Sequence, residues 1–249
     1  KVLGIEQRGA VISACDPSDT GNDPCGFVSR QGITFFAAAE IQAENGNRKM
    51  DEACKLAILD GCDSFGYDAD GLGATLRDNV DKAFSGKVVN IYAYKGSTGI
   101  HDPKAEFKSE TAGLTNRATN LKNKDVLFNK KAQNTLAMSE RVFRTWEAVV
   151  EGKYHDPDTL VSFDSETIAP QIMEKLKAEF SKVPIKPGDT VKFYTKPELR
   201  KGVQMPDGSR LVIPSPNLFD ACVLSFDKAS IINNNDEWGE LNYAPRSIV

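Results

Sequence analysis

Two histidines in 249 residues leave little from which to build a histidine-centred triad or a three-histidine zinc site. His101 and His155 each open a His-Asp-Pro stretch and read as loop residues. Cysteine is also scarce. Cys15, Cys25, Cys54, Cys62 and Cys222 form an odd set without the paired spacing of a zinc site or the density of a disulfide scaffold, so free thiols in a reducing cytoplasm are expected. No apolar run is long enough to cross a membrane, which leaves a soluble globular chain, one large domain, with no membrane partner. No Gly-x-x-x-x-Gly-Lys-[Ser/Thr] loop occurs, which excludes a P-loop nucleotide hydrolase. An initiator methionine and a charged-then-apolar leader are both missing, so the chain from Lys1 reads as a cut or processed fragment. The net charge of -4 does not advertise a nucleic-acid binder, but basic residues can be segregated locally.

What the sequence does have is acid at the ends of its strands. Ser64 to Ala69 reads as a short strand, followed by a glycine turn and a helix over 72–84 whose Leu72, Leu76, Val80 and Phe84 recur at helical spacing. Side chains alternate along a strand, so Asp68 and Asp70 project from one face about 6 to 7 Å apart. Such a pair repels itself unless a cation sits beside it. Gly71-Leu72-Gly73 also resembles the start of a dinucleotide fingerprint. Against that reading, Leu76 stands at the third glycine position, the next strand ends in Lys95 rather than a ribose-binding acid, and the aspartates would face phosphates. An acidic, solvated turn is the plain alternative.

Taken in order, Gly9 to Cys15 reads as a buried strand closed by Asp16, which a turn-capping role would also explain. Phe27 to Arg30 and Ile33 to Ile41 form a hairpin across Gln31-Gly32, and Asn45 to Asp60 a helix with Met50, Cys54, Leu56 and Leu59 on its core face. A further strand spans 87–94, completing a mixed sheet with crossover helices. Residues 95–127 read as a large polar insertion. Between 103 and 131, Lys104, Lys108, Arg117, Lys122, Lys124, Lys130 and Lys131 face only three acids, a local +4 that suits a phosphate-contacting rim as well as a solvated loop.

Asn129 to Glu151 carries the longest apolar stripe, from Ala132 and Leu136 through Met138, Val142 and Phe143 to Trp146 and Val149, and is expected to be core. Pro170 to Val183 is a second amphipathic helix. Thr190 to Thr195 is a strand, and Val203 to Met205 pairs with Leu211 to Ile213 as a hairpin. Ser215 is placed to cap a last helix that begins with Pro216 and is apolar on nearly every side except at Asp220, where a charge needs a partner or a metal. From Ile231 onward the tail looks loosely ordered.

Asp16, the Asp68/Asp70 pair and Asp220 together match what two-metal phosphoryl chemistry requires: carboxylates from distant segments converging on ions about 3.5 to 4 Å apart. Four segments carry a resemblance: Ala14-Cys15-Asp16-Pro17-Ser18-Asp19-Thr20-Gly21, Tyr67-Asp68-Ala69-Asp70-Gly71-Leu72-Gly73-Ala74, Asn129-Lys130-Lys131-Ala132, and Ser215-Pro216-Asn217-Leu218-Phe219-Asp220-Ala221. In that order they resemble the nuclease domain of the large terminase subunit of tailed double-stranded DNA phages, most closely the headful-packaging podophage branch.

The resemblance implies an RNase H-like (RuvC-like) α/β fold, a mixed central sheet flanked by helices with an added β-hairpin near 203–213. It implies a nuclease domain over 1–230, a tail over 231–249, and a motor ATPase domain outside this chain. Carried over by position, Asp16 and Asp220 are metal ligands. The acid-x-x-Gly-x-Gly pattern falls on Asp68, while Asp70 is equally placed, so both are kept with Asp68 preferred. Asn217 stands where the family has aspartate and reads as a capping variation. Lys196 stands where related enzymes often carry a lysine near the metals. The implied activity is endonuclease cleavage of concatemeric viral DNA with a pair of Mg²⁺ or Mn²⁺ ions, in the host cytoplasm during assembly rather than in the virion. Double-stranded DNA, a small terminase subunit and a portal protein are the implied partners. The competing readings are a catalytically silent domain that docks DNA or the portal, and a Rossmann-type nucleotide enzyme.

Overall fold

The computed structural model describes residues 3–18, 23–71, 75–109, 121–204 and 208–231. Its central sheet holds β1 (Val11–Asp16), β2 (Cys25–Gln31), β3 (Thr34–Ile41), β4 (Ser64–Asp68), β5 (Asn90–Tyr94) and the short β6 (Ser162–Phe163). The order across the sheet is β5-β4-β1-β2-β3-β6. β2 runs antiparallel to β1 and β3, while β1–β4, β4–β5 and β3–β6 are parallel. An antiparallel meander in the middle excludes the parallel, doubly wound sheet that a Rossmann-type enzyme needs. The expected mixed sheet is present, with β6 added at an edge that the sequence pattern did not mark.

Helices α1 (Gly46–Leu59) and α2 (Arg77–Ala83) make the crossovers into β4 and β5. α2 begins later than the expected 72, and residues 72–74 lie outside the described residues. α1 buries Met50, Ala53, Cys54 and Ala57, whereas Leu59, expected in the core, is 80% exposed. Its small alanines form the contact stripe because they let the helix approach the sheet closely, and Leu59 falls off that stripe. All five cysteines are buried and free.

Beyond β5 lie α3 (Asn123–Val126), α4 (Lys130–Trp146), α5 (Pro170–Phe180), α6 (Lys196–Lys201) and α7 (Asn217–Ser225). The expected strand 190–195 shrinks to β8 (Lys192–Phe193), which pairs with an unforeseen β7 (Ile185–Lys186). The expected hairpin is present as β9 (Val203–Gln204) and β10 (Arg210–Leu211), with 205–207 outside the described residues. The tail from 232 also lies outside them. Only the first half of the α4 stripe is core: Ala132, Leu136 and Met138 are buried, while Val142, Trp146 and Val149 remain exposed. Among the described residues no helix is long and apolar enough to cross a membrane.

Strand alternation divides the core into two layers. Cys15, Phe27, Phe65 and Tyr67 face α1 and α2, and Ala14, Val28, Tyr92 and Tyr94 face α7 with α4 and α5. Asp16 and Asp68 therefore both point toward α7. Cys15 and Tyr67 are register partners on parallel strands, so the residues that follow them close adjacent strands at the same end of the sheet.

α7 is buried along its entire length. It crosses β2 at Gly26, the register partner of Asp16, where an added Cβ would lie 2.1 Å from the Asn217 carbonyl oxygen and 2.8 Å from the Leu218 nitrogen. Sheet and helix meet here backbone to backbone. Gly26→Ala is expected to destabilise the fold by about 1–3 kcal/mol, the usual cost of overpacking. Gly99→Ala, whose added methyl would meet no atom within 4 Å, serves as the control expected to keep the chemical denaturation midpoint unchanged.

Candidate metal centre

Three aspartates from distant segments converge. Asp16 (2% exposed) closes β1, Asp68 closes β4, and Asp220 (6% exposed) lies in the first turn of α7, where the helix dipole favours a negative charge. The Lys196 ammonium donates to Asp16 Oδ2 and, at 2.9 Å, to Asn217 Oδ1, and it lies 4.0 Å from Asp220 Oδ2. Lys131 donates to the same Asp220 oxygen at 2.8 Å. Asp68 shares a small pocket with Tyr94, Lys131, Asp220, Val223 and Leu224.

Both lysines are aimed by helix starts that the sequence encodes. Asn129 caps α4 by accepting from the Ala132 N–H at 2.9 Å, which brings Lys131 into the first turn. Thr195 and Glu198 form a reciprocal capping box that begins α6 at Lys196.

The electrostatics follow from burying acids together. Burial pushes the Asp68 carboxyl up to about 7, the Asp16 charge adds to this, and the Asp70 N–H donating to Asp68 Oδ1 at 2.9 Å opposes it. Burial also raises Asp16, with Lys196 pulling the other way. For Lys196 burial alone would lower the value, but Asp16 and Asp220 outweigh it and hold the ammonium above its usual range. Lys131 is raised in the same way, chiefly by Asp220.

Among the described residues no three His, Cys, Asp or Glu side chains are gathered closely enough to hold a metal ion as they stand. The ammonium of Lys196 stands between Asp16 and Asp220, and Lys131 pairs with Asp220, so cationic nitrogens serve the acids that a dication would serve. The donor set is all carboxylate oxygen, with no sulfur or imidazole, and it fits a hard divalent cation such as Mg²⁺ or Mn²⁺.

The other expected site residues fall in several places. Asp70 uses both carboxylate oxygens on Ser97, Oδ2 accepting from its N–H at 2.8 Å and Oδ1 from its hydroxyl at 2.7 Å. Lys131, expected on a DNA-contacting rim, reaches inward to Asp220, and Lys130 lies 4.0 Å from the buried Asp227. Lys104, Lys108, Lys122 and Lys124 are exposed on the 95–127 insertion, and Arg117 lies outside the described residues. Ser215 does not cap α7: its hydroxyl accepts from Arg200, and α7 has no side-chain cap of its own. Asn217 is a bridge rather than a cap. Its amide donates to Asp23 Oδ1 at 3.0 Å and to the Pro24 carbonyl at 2.8 Å while its oxygen receives Lys196.

Two residues that no sequence pattern marked hold α7 in place. Glu179, on α5, accepts the Phe219 N–H at 2.8 Å and so satisfies an amide of the first helical turn. Arg30, on β2, donates to the Ser225 carbonyl at 2.7 Å at the other end, with its guanidinium 3.8 Å from the centre of the Phe226 ring. The Arg30 charge matches the dipole at the end of the helix that it meets.

A comparison with solved structures finds the nuclease domain of the large terminase subunit of bacterial virus Sf6 at 38% identity, with 90% of each chain covered and a TM-score of 0.78. A mutant of that domain with calcium matches at 38% identity over 90% of this chain and 91% of the other, TM-score 0.79. A mutant with manganese and beta-thujaplicinol matches at 38% identity over 90% of each chain, TM-score 0.78. No protein-family model and no curated protein matches the chain.

Burial pushes the Glu179 carboxyl up to about 7, so its contribution to stability is full below about 4.5 and is lost as pH rises through 7. Glu179→Gln, neutral throughout, is expected to lose less stability than wild type across that interval. Melting temperatures measured from pH 4.5 to 7 would contradict this if the two proteins kept a constant difference.

Proposed function

The chain belongs to the family of nuclease domains of viral large terminase subunits, and from that premise we propose that it is a divalent-metal-dependent endonuclease cutting concatemeric double-stranded viral DNA during genome packaging. Its fold is accordingly RNase H-like. The observation that carries the reading is the Lys196 ammonium lying between Asp16 and Asp220, because it puts buried acids from the two ends of the described chain within reach of one cation.

In this reading Asp16, Asp68 and Asp220 hold a pair of Mg²⁺ or Mn²⁺ ions. When bound, these supply an activated water for in-line attack on the phosphodiester and stabilise the leaving 3′ oxygen. No protein nucleophile is required. Lys196 and Lys131 pair with Asp16 and Asp220 and are placed to offset phosphate charge when DNA is bound. Lys104, Lys108, Lys122 and Lys124, with the β9–β10 hairpin, are the surfaces proposed to contact the DNA backbone rather than base edges. A small terminase subunit and a portal protein are the proposed assembly partners, and the host cytoplasm is the proposed site of action.

Asp16→Asn and Asp220→Asn are each expected to lower plasmid cleavage in Mn²⁺ on the order of 100-fold or more, since losing even a residue that only orients a ligand costs about 10–100-fold. Circular dichroism should show the fold intact. Undiminished cutting by either variant removes the reading, and a wild-type chain that binds DNA without cutting under any divalent ion points to a docking domain instead. Replacing Lys104, Lys108, Lys122 and Lys124 with alanine is expected to weaken DNA binding for all sequences alike and to flatten its salt dependence by roughly one unit of slope per lost phosphate contact.

A further inference from the structure

Asp70 is left without a task by the proposed chemistry, yet both its oxygens are engaged at hydrogen-bond distance. We infer that Asp70 is a positioning residue, clamping the loop after β5 so that the loop holds the start of α4 and aims Lys131 at Asp220. This inference rests on the nuclease reading for its catalytic consequence, and on geometry alone for the clamp itself.

The geometry runs through consecutive contacts. Asp70 accepts the Ser97 N–H and hydroxyl at 2.8 and 2.7 Å. The carbonyls on either side of Ser97 then accept from α4: Gly96 O from the Lys131 N–H at 2.9 Å, and Thr98 O from the Lys130 N–H at 3.0 Å. A helix start leaves its first amides without intrahelical partners, and here two of them are satisfied by a loop that a carboxylate pins. The fit is close, because a Cβ added to Gly96 would meet the Lys131 Cβ at 3.0 Å. From this anchored backbone the Lys131 side chain reaches Asp220 Oδ2 at 2.8 Å. The Asp70 main chain serves the same centre, since its N–H donates to Asp68 Oδ1. A carboxylate suits the task because its two oxygens accept from two donors at once, which a neutral side chain of that length does less well.

Four variants separate a clamp from a metal ligand: Asp70→Asn, Asp70→Ala, Ser97→Ala and the double Asp70→Ala/Ser97→Ala. Asparagine keeps one acceptor oxygen, and its amide can donate to the Ser97 hydroxyl. The clamp therefore predicts that Asp70→Asn stays within a few-fold of wild type in cleavage and in the Mn²⁺ concentration giving half-maximal thermal stabilisation. Asp70→Ala is expected to lose about 10–100-fold in cleavage, the range seen when a residue orienting a catalytic group is removed. Ser97→Ala should lose less, and should add nothing in the Asp70→Ala background.

Amide hydrogen exchange at Lys130 and Lys131 supplies a readout that needs no cutting: it should quicken in Asp70→Ala and remain slow in Asp70→Asn. Unchanged exchange in Asp70→Ala overturns the clamp whether or not the protein is a nuclease. An Asp70→Asn variant as inactive as Asp16→Asn, with its Mn²⁺ midpoint displaced as far, makes Asp70 a metal ligand instead. Faster exchange in Asp70→Ala, together with a wild-type chain that never cuts, would leave the clamp standing and sink only the nuclease reading.

Discussion

The structure depends on how it compensates negative charge that it has itself gathered. Two unit charges 4 Å apart at the effective dielectric of a protein edge interact by about 4 kcal/mol, a large share of the stability of an ordinary domain. Strand alternation and parallel pairing place Asp16 and Asp68 side by side, and burial of α7 adds Asp220, so the fold would oppose itself without cations among them. Lys196 and Lys131 supply these. Each comes from a helix start pinned by its own cap, so compensation is arranged by local sequence and exercised across the whole chain. The same acids and lysines suit an exchange of ammonium for dication, in which loading a metal replaces one set of charge pairs with another.

The helix that carries Asp220 is supported at both ends by polar side chains from other elements. An ionisable group from α5 meets its opening amides, and a guanidinium from β2 meets its closing carbonyl. Both contacts join elements far apart in sequence, and so does the Asn217 bridge to the segment after β1. The centre is therefore braced on three sides by polar contacts, two of them buried, which leave α7 little freedom to tilt without leaving a polar group unsatisfied.

Much of this was legible without coordinates. Asp16 and Asp68 close strands whose apolar runs are plain, and Asp220 stands out as the one charge on an otherwise apolar helix. What escaped the sequence was whatever depends on a partner from elsewhere. Lys131 belongs to a run of basic residues, and composition cannot tell a lysine that reaches inward from one that points to water. Glu179 looked like one more polar position on an amphipathic helix, and the cap it provides replaced the local one expected from Ser215. The α4 stripe is periodic to its end, but periodicity cannot report where the packed core stops, and Val142 and Trp146 fall beyond it. β6 and β7 span two residues each and carry no pattern long enough to read.

Gly26 has a consequence beyond packing. Because the first turn of α7 rests on the peptide backbone of β2 with no side chain interposed, the distance between helix and strand at that point is a property of the main chain. The approach of α7 to the strand beside Asp16 is thus set by two polypeptide backbones in contact, and a side chain at position 26 is what would force them apart.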